Sequence, residues 1–107
     1  MNETPSDGLT LKAIQTMILQ LYGWKDAARG DTATFLWLAE EVGELAAALR
    51  SGSQQEVAAE MADVLAWLAT LANIREVDLA AAFDEKYGRG CPACGALTCH
   101  CDPAEKP

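Results

Sequence analysis

The sequence predicts an all-α fold, an antiparallel helical bundle of about four helices per chain, assembled as a dimer or dimer of dimers, with a short Cys-rich C-terminal tail. Three observations predict it. Half the residues are hydrophobic, and these are largely Ala and Leu, with few β-branched residues and no strand-like alternation. Apolar residues return at steps of three and four through successive segments. Capping and breaking residues stand between those segments. With 107 residues, one domain is expected: a helical domain over 10–89, a flexible lead-in over 1–9 and the tail over 90–107.

Helix 1 is expected from about Thr10 to Trp24, with Leu11, Ile14, Met17, Ile18 and Leu21 on one face. Lys25 to Thr32, which holds Arg29-Gly30-Asp31, reads as a loop, and Asp31 or Thr32 would cap helix 2. Helix 2 runs to about Ser51, its buried stripe being Leu38, Val42, Leu45 and Leu49, and Gly52 is expected as a left-handed terminator. Ser53-Gln54-Gln55-Glu56 matches a capping box and starts helix 3, which runs to Ile74 or Arg75. Its stripe is Val57, Met61, Val64, Leu65, Leu68, Leu71 and Ala72. Asp78 caps a short helix 4 through Tyr87, where Gly88 stops it.

Opposite those stripes, helix 2 carries Leu36, Ala39, Gly43 and Ala47, and helix 3 carries Ala58, Ala59, Ala62, Ala66 and Ala69. A solvated surface would show Lys and Glu there. Small residues nearly all round imply burial by more than one neighbour, which predicts a homodimer or homotetramer.

The net charge of -8 argues against binding a nucleic-acid polymer, which needs a basic footprint. It is compatible with a small anionic substrate that brings its own divalent cation. The longest apolar run, Val64 to Leu71, is too short to cross a bilayer, and Met1 to Gly8 lacks a signal-peptide core, so a cytoplasmic protein with no membrane partner is expected.

The chemistry is concentrated between Glu40 and Asp63. Glu40-Glu41-Val42-Gly43-Glu44 is followed, after fifteen residues, by Glu60-Met61-Ala62-Asp63. At about 100° per residue, Glu41 and Glu60 fall about 80° from the centres of their stripes and Glu44 and Asp63 about 140°, in the same rotational sense. The Ser51-Gly52-Ser53 connection permits only an antiparallel hairpin, so equal offsets bring both shoulders to one side. Counted from the turn, Glu44 lies level with Glu60 and Glu41 with Asp63. Four carboxylates at ~6 Å, with an effective dielectric of ~20, repel by roughly 2–3 kcal/mol per pair. A cation relieves that repulsion, and hard oxygen ligands at this density suit Mg²⁺ or Mn²⁺; Ca²⁺ needs more ligands. The competing reading is a solvated acidic helix face.

These residues resemble the signature of the MazG-like all-α nucleoside triphosphate pyrophosphohydrolases. The resemblance is carried by Leu38-Ala39-Glu40-Glu41-Val42-Gly43-Glu44-Leu45 and Glu60-Met61-Ala62-Asp63-Val64-Leu65. It implies a helical-bundle enzyme that splits a nucleoside triphosphate, often a deoxy or damaged one, into monophosphate and pyrophosphate, in housekeeping of the nucleotide pool. It implies Mg²⁺ held by Glu41, Glu44, Glu60 and Asp63, a dimer or tetramer, and Glu40 supporting the attacking water or a second metal. Proton transfer from that water falls to Glu40 or Glu41. Glu40 points some 60–100° further round the helix than its companions, so a solvated or interface acid is its other reading.

Lys86 and Arg89 lie at the C-terminal end of helix 4, where related enzymes often carry a Lys…Asn…Arg pattern. Here the Asn is missing from Lys86-Tyr87-Gly88-Arg89. Either these two side chains grip phosphate or they are a basic helix C-terminus favoured by the dipole. Trp37 and Trp67 lie one turn outside the acids at equal distance from the hairpin turn, where they either stack on a base or plug a subunit interface. Trp24 is a third candidate lid.

Cys91-Pro92-Ala93-Cys94-Gly95 reads as one half of a zinc knuckle, and Cys99-His100-Cys101 as the other. His100 could replace one of the last two thiols, and a reduced mobile tail is the alternative. From another class, a non-catalytic helical adaptor would use the knuckle to bind a partner protein and carry its acids as surface charge. A zinc-tailed transcription regulator is disfavoured by the acidity.

Overall fold

A computed structural model describes residues 8–106 of the chain. The expected lead-in over 1–9 therefore lies mostly outside the described residues. Four helices follow in order: α1 (Leu11–Arg29), α2 (Asp31–Ser51), α3 (Gln54–Ile74) and α4 (Leu79–Tyr87). No strand occurs among the described residues.

Helix α1 starts where expected, with the Thr10 hydroxyl accepting from Ala13 N–H at 3.0 Å. It does not stop at Trp24. Of the segment expected as a loop, Lys25 to Arg29 is its last turn and a half, because Lys25, Ala27, Ala28 and Arg29 are good helix formers and no Pro interrupts them, and Asp31 and Thr32 already belong to α2. Asp26 and Arg29, three apart, pair at 3.1 Å and hold that end closed.

The whole connection to α2 is Gly30, at φ 83°. Only glycine takes up that conformation cheaply. It is also the N-cap, so neither Asp31 nor Thr32 caps the helix. The Thr34 hydroxyl donates back to the Gly30 carbonyl at 2.6 Å, and Thr34 is fully buried.

Gly52 ends α2 in an extended conformation (φ -95°), not the left-handed one expected, with its N–H on the Ala48 carbonyl at 2.7 Å. The capping box is present in full: Glu56 N–H donates to the Ser53 hydroxyl, and Ser53 N–H donates to Glu56 Oε1 at 2.7 Å. The Asp78 carboxylate caps α4 through Ala81 N–H.

Helix α3 packs on both α2 and α1, and α4 leans on α1. A small polar knot joins three of them. Gln15 Nε2 donates to Asn73 Oδ1 and to the Val77 carbonyl, while its Oε1 accepts from Leu79 N–H at 2.9 Å. Asn73 Nδ2 returns a bond to the Gln15 carbonyl. A knot with its groups paired in this way fixes the angle between elements.

The inward face of α2 is Thr34, Leu38, Glu41, Leu45 and Ala48, a helical run at steps of four and three. The expected stripe is rotated from this, since Val42 and Leu49 are exposed. Thr34 is fully buried on the inward face and accepts from Arg29 of α1, while the broad apolar surface of α2 would accept several rotations. On α3, Met61 and Leu68 are likewise exposed while Ala69, Thr70 and Ala72 are buried. By length and composition α3 as a whole could cross a membrane, although its longest apolar run could not. In this fold it lies against two other helices and carries Glu56, Glu60 and Asp63.

Candidate functional site

The α2–α3 hairpin brings acids from two separated stretches to one place. Glu41, Glu60 and Asp63 each offer a carboxylate oxygen, and these oxygens all lie within 4.8 Å of one another. Glu41 and Glu60 are half-buried and Asp63 is exposed. The rotation of α2 puts Glu41 on the inward face rather than on its shoulder.

Two orphaned atoms test whether a cation fits. Glu41 Oε1 and Glu60 Oε1 are buried and have no hydrogen-bond partner among the described residues. Acceptors that face one another without donors are costly unless protonated or ligated. Burial raises the Glu41 carboxyl above its ordinary value, followed by the fields of Glu44, Asp63, Glu60 and Glu40. Glu60 is raised by burial, then by Glu44 and Asp63, with a side-chain hydrogen bond to the Glu41 carboxyl pulling the other way. The set therefore suits a hard divalent cation with oxygen ligands.

Glu44 is exposed and is not one of the three converging ligands, yet it is the strongest charged neighbour of both Glu41 and Glu60. Glu40 is exposed on the outer side of α2, also outside the cluster.

Beside Asp63 a cleft of about 420 Å³ opens between α1 and α3. Trp37 and Trp67 stand on its wall, as do Lys25, Asp26 and Arg29. The indoles meet edge to face, and the Arg29 guanidinium sits over both, 4.9 and 5.0 Å from their centroids. Arg29 also donates to the Thr34 hydroxyl at 3.0 Å. Trp24 is exposed and does not line the cleft.

Lys25 and Arg29 are the cleft's basic residues, and the sequence reading missed both by assigning them to a loop. A signal exists: Ile18, Tyr22, Lys25 and Arg29 continue one helical face past Trp24. Lys86 and Arg89, the expected phosphate contacts, are exposed at the end of α4 and are not among the residues lining the cleft.

The four cysteines form a second cluster, their Sγ atoms also within 4.8 Å of one another. His100 is not part of it.

Residues 29–94 match the family model of the MazG nucleotide pyrophosphohydrolase domain. No curated protein gives a significant match. The matched region takes in α2, α3, α4 and the first two cysteines, and leaves out most of α1.

Proposed function

The chain belongs to the MazG nucleotide pyrophosphohydrolase family, and we propose that it hydrolyses (deoxy)nucleoside triphosphates to the monophosphate and pyrophosphate in a Mg²⁺-dependent reaction (Mn²⁺ serving as substitute), as housekeeping of the nucleotide pool. The observation that carries this reading is the convergence of Glu41, Glu60 and Asp63, with two donorless buried oxygens, beside an aromatic and basic cleft that Asp63 itself lines.

Glu41, Glu60 and Asp63 would hold the metal, with Glu44 completing the set. When bound, such an ion neutralises charge that builds on phosphate oxygens during cleavage. The chain's own groups supply the rest. Water attacks the α-phosphorus, the bond from that phosphorus to the bridging oxygen breaks, and pyrophosphate leaves. The water's proton passes to a carboxylate. Glu41 is the better placed acceptor, because its carboxyl lies in the cluster, whereas Glu40 faces outward. Glu40 then serves at most as an outer support.

Lys25 and Arg29 would face the polyphosphate, and the Trp37 and Trp67 edges would bound the base. Lys86 and Arg89 remain candidates only where a second chain completes the site. A homodimer or homotetramer is part of the proposal. Phe35, Leu36 and the small residues Ala39, Gly43, Ala58, Ala59 and Ala62 are all exposed in one chain, which leaves a broad face to cover.

A panel of NTPs and dNTPs with Mg²⁺ or EDTA tests the reading. Pyrophosphate release is expected with Mg²⁺, and its loss is expected in Glu41→Gln and in Asp63→Asn. No release from any nucleotide would favour the adaptor.

A further inference from the structure

We propose that Cys91, Cys94, Cys99 and Cys101 hold one Zn²⁺ in an all-thiolate site that fixes the C-terminal end of α4. This site is independent of the acidic one and does not rest on the proposed hydrolysis.

Sulfur geometry carries the inference. Cys91 Sγ and Cys101 Sγ are 3.8 Å apart. In a tetrahedron with Zn–S bonds of about 2.3 Å, the sulfur–sulfur edge is about 3.8 Å. A disulfide would bring the sulfurs to about 2.05 Å, and all four cysteines are free. Four thiols on two short segments have no packing reason to converge, since Cys94 and Cys99 are exposed and no core lies among them.

The backbone is arranged around the sulfurs. His100 N–H donates to Cys94 Sγ at 3.4 Å and Cys101 N–H to Cys99 Sγ at 3.2 Å. Donors of this kind orient thiolates and offset their charge. Gly95 takes φ 79°, and its N–H closes the turn onto the Cys91 carbonyl at 2.8 Å. Cys91 N–H in turn donates to the Ala96 carbonyl at 2.9 Å. Because His100 contributes its backbone and not its ring, the four-sulfur set displaces the alternative in which the imidazole replaces one thiol.

Soft thiolates select Zn²⁺, and the carboxylates of the hairpin select a harder ion, so the two sites sort their metals by chemistry. Four thiols bind Zn²⁺ as thiolates, releasing their protons and leaving a site of net charge −2. With every position filled by sulfur the ion has no open place for water, so its service is structural.

What it holds is α4. That helix is nine residues long with no buried side chain, too short to persist on its own in water. Its N-terminus is tied by the Asp78 cap and by Gln15. Its C-terminus runs directly into the knuckle, with Gly90 N–H on the Tyr87 carbonyl at 3.0 Å one residue before Cys91.

The test uses the full chain, purified under reducing conditions without added zinc. Elemental analysis should give about one zinc per chain, falling below about half an equivalent in Cys94→Ser and staying near one in Glu41→Gln. In Mg²⁺-free buffer, chelation should speed amide exchange over residues 82–91 by roughly tenfold or more and leave α1 to α3 unchanged, and added Zn²⁺ should restore it. The chelation arm needs no variant, so a poorly folded Cys94→Ser does not blunt it. The proposal is overturned by wild-type chain that holds under half an equivalent and takes up neither Zn²⁺ nor Co²⁺ on titration, by zinc loss in Glu41→Gln, or by α4 exchange indifferent to chelation.

Discussion

Trp37 and Trp67 meet edge to face with ring centroids 5.2 Å apart and planes at 89°. Each lies fifteen residues from Gly52, on opposite arms of the hairpin, so this contact sets the register that also brings Glu41 to Asp63. The Arg29 guanidinium rests on both rings and ties α1 to the pair. Trp67→Ala should therefore cost about 2–4 kcal/mol in urea unfolding, somewhat less than for a fully buried Trp. It should also raise KM for the best nucleotide at least severalfold, because the cleft loses a wall and Arg29 its seat. A stability loss with KM unchanged would remove Trp67 from substrate binding.

Arg29 and Asp26 form the buried charge pair of the cleft, their side chains 16% and 4% exposed. Asp26 Oδ2 has no hydrogen-bond partner among the described residues, so the carboxylate depends on its one contact with Arg29. Arg29→Ala should cost about 3–5 kcal/mol by stranding that charge. The double variant Asp26→Ala, Arg29→Ala should lose clearly less than the sum of the two single losses, as measured in a thermodynamic cycle. Additive losses would mean that the pair is not coupled.

What was readable in the sequence divides along physical lines. The Ser53 capping box, the Asp78 cap and the two-residue Gly52-Ser53 hairpin turn depend on bonds within four residues, and local text suffices for them. The meeting of Glu41, Glu60 and Asp63 follows from helical period plus a turn too short for any other geometry. The rotation of α2 is not readable, because Leu38, Val42, Leu45, Leu49, Phe35 and Leu36 offer apolar surface on several sides, and the residue buried deepest on the inward face is the polar Thr34. The last turn of α1 was hidden by Gly30, whose neighbours Arg29 and Asp31 look like loop residues until the Asp26–Arg29 pair is seen. Counting from the turn sets Glu44 level with Glu60, yet Glu44 is exposed and lies outside the three converging carboxylates.

Gly30→Ala tests the single-residue joint between α1 and α2. At φ 83° and ψ 173° an added Cβ meets no atom within 4 Å, so the cost is backbone strain and not a clash. About 1–3 kcal/mol is expected from thermal unfolding, with activity loss beyond the unfolded fraction, since Arg29 is the adjoining residue. A variant as stable as wild type would show that the joint relaxes to another conformation.

The acidic cluster makes stability depend on pH and metal together. Burial and neighbouring charge raise the Glu41 and Glu60 carboxyls in the fold above the ordinary value of 4.5. The folded chain then binds more protons than the unfolded chain between 4.5 and the raised values, so metal-free stability falls as pH climbs through that window. Below it both carboxyls are protonated in either state and the penalty is absent; above it the penalty is complete. A divalent cation reverses the sign, because it binds only the ionised set in the fold and stabilises by mass action. Melting temperature should accordingly rise on adding Mg²⁺ at pH 7.5 and respond far less near pH 4.5. Glu41→Gln removes one repelled charge, so the metal-free variant should melt higher than metal-free wild type at pH 7.5, while failing to gain from Mg²⁺ and failing to release pyrophosphate. Equal Mg²⁺ shifts in Glu41→Gln and wild type would place the ion elsewhere and leave the hairpin acids as ordinary surface charge.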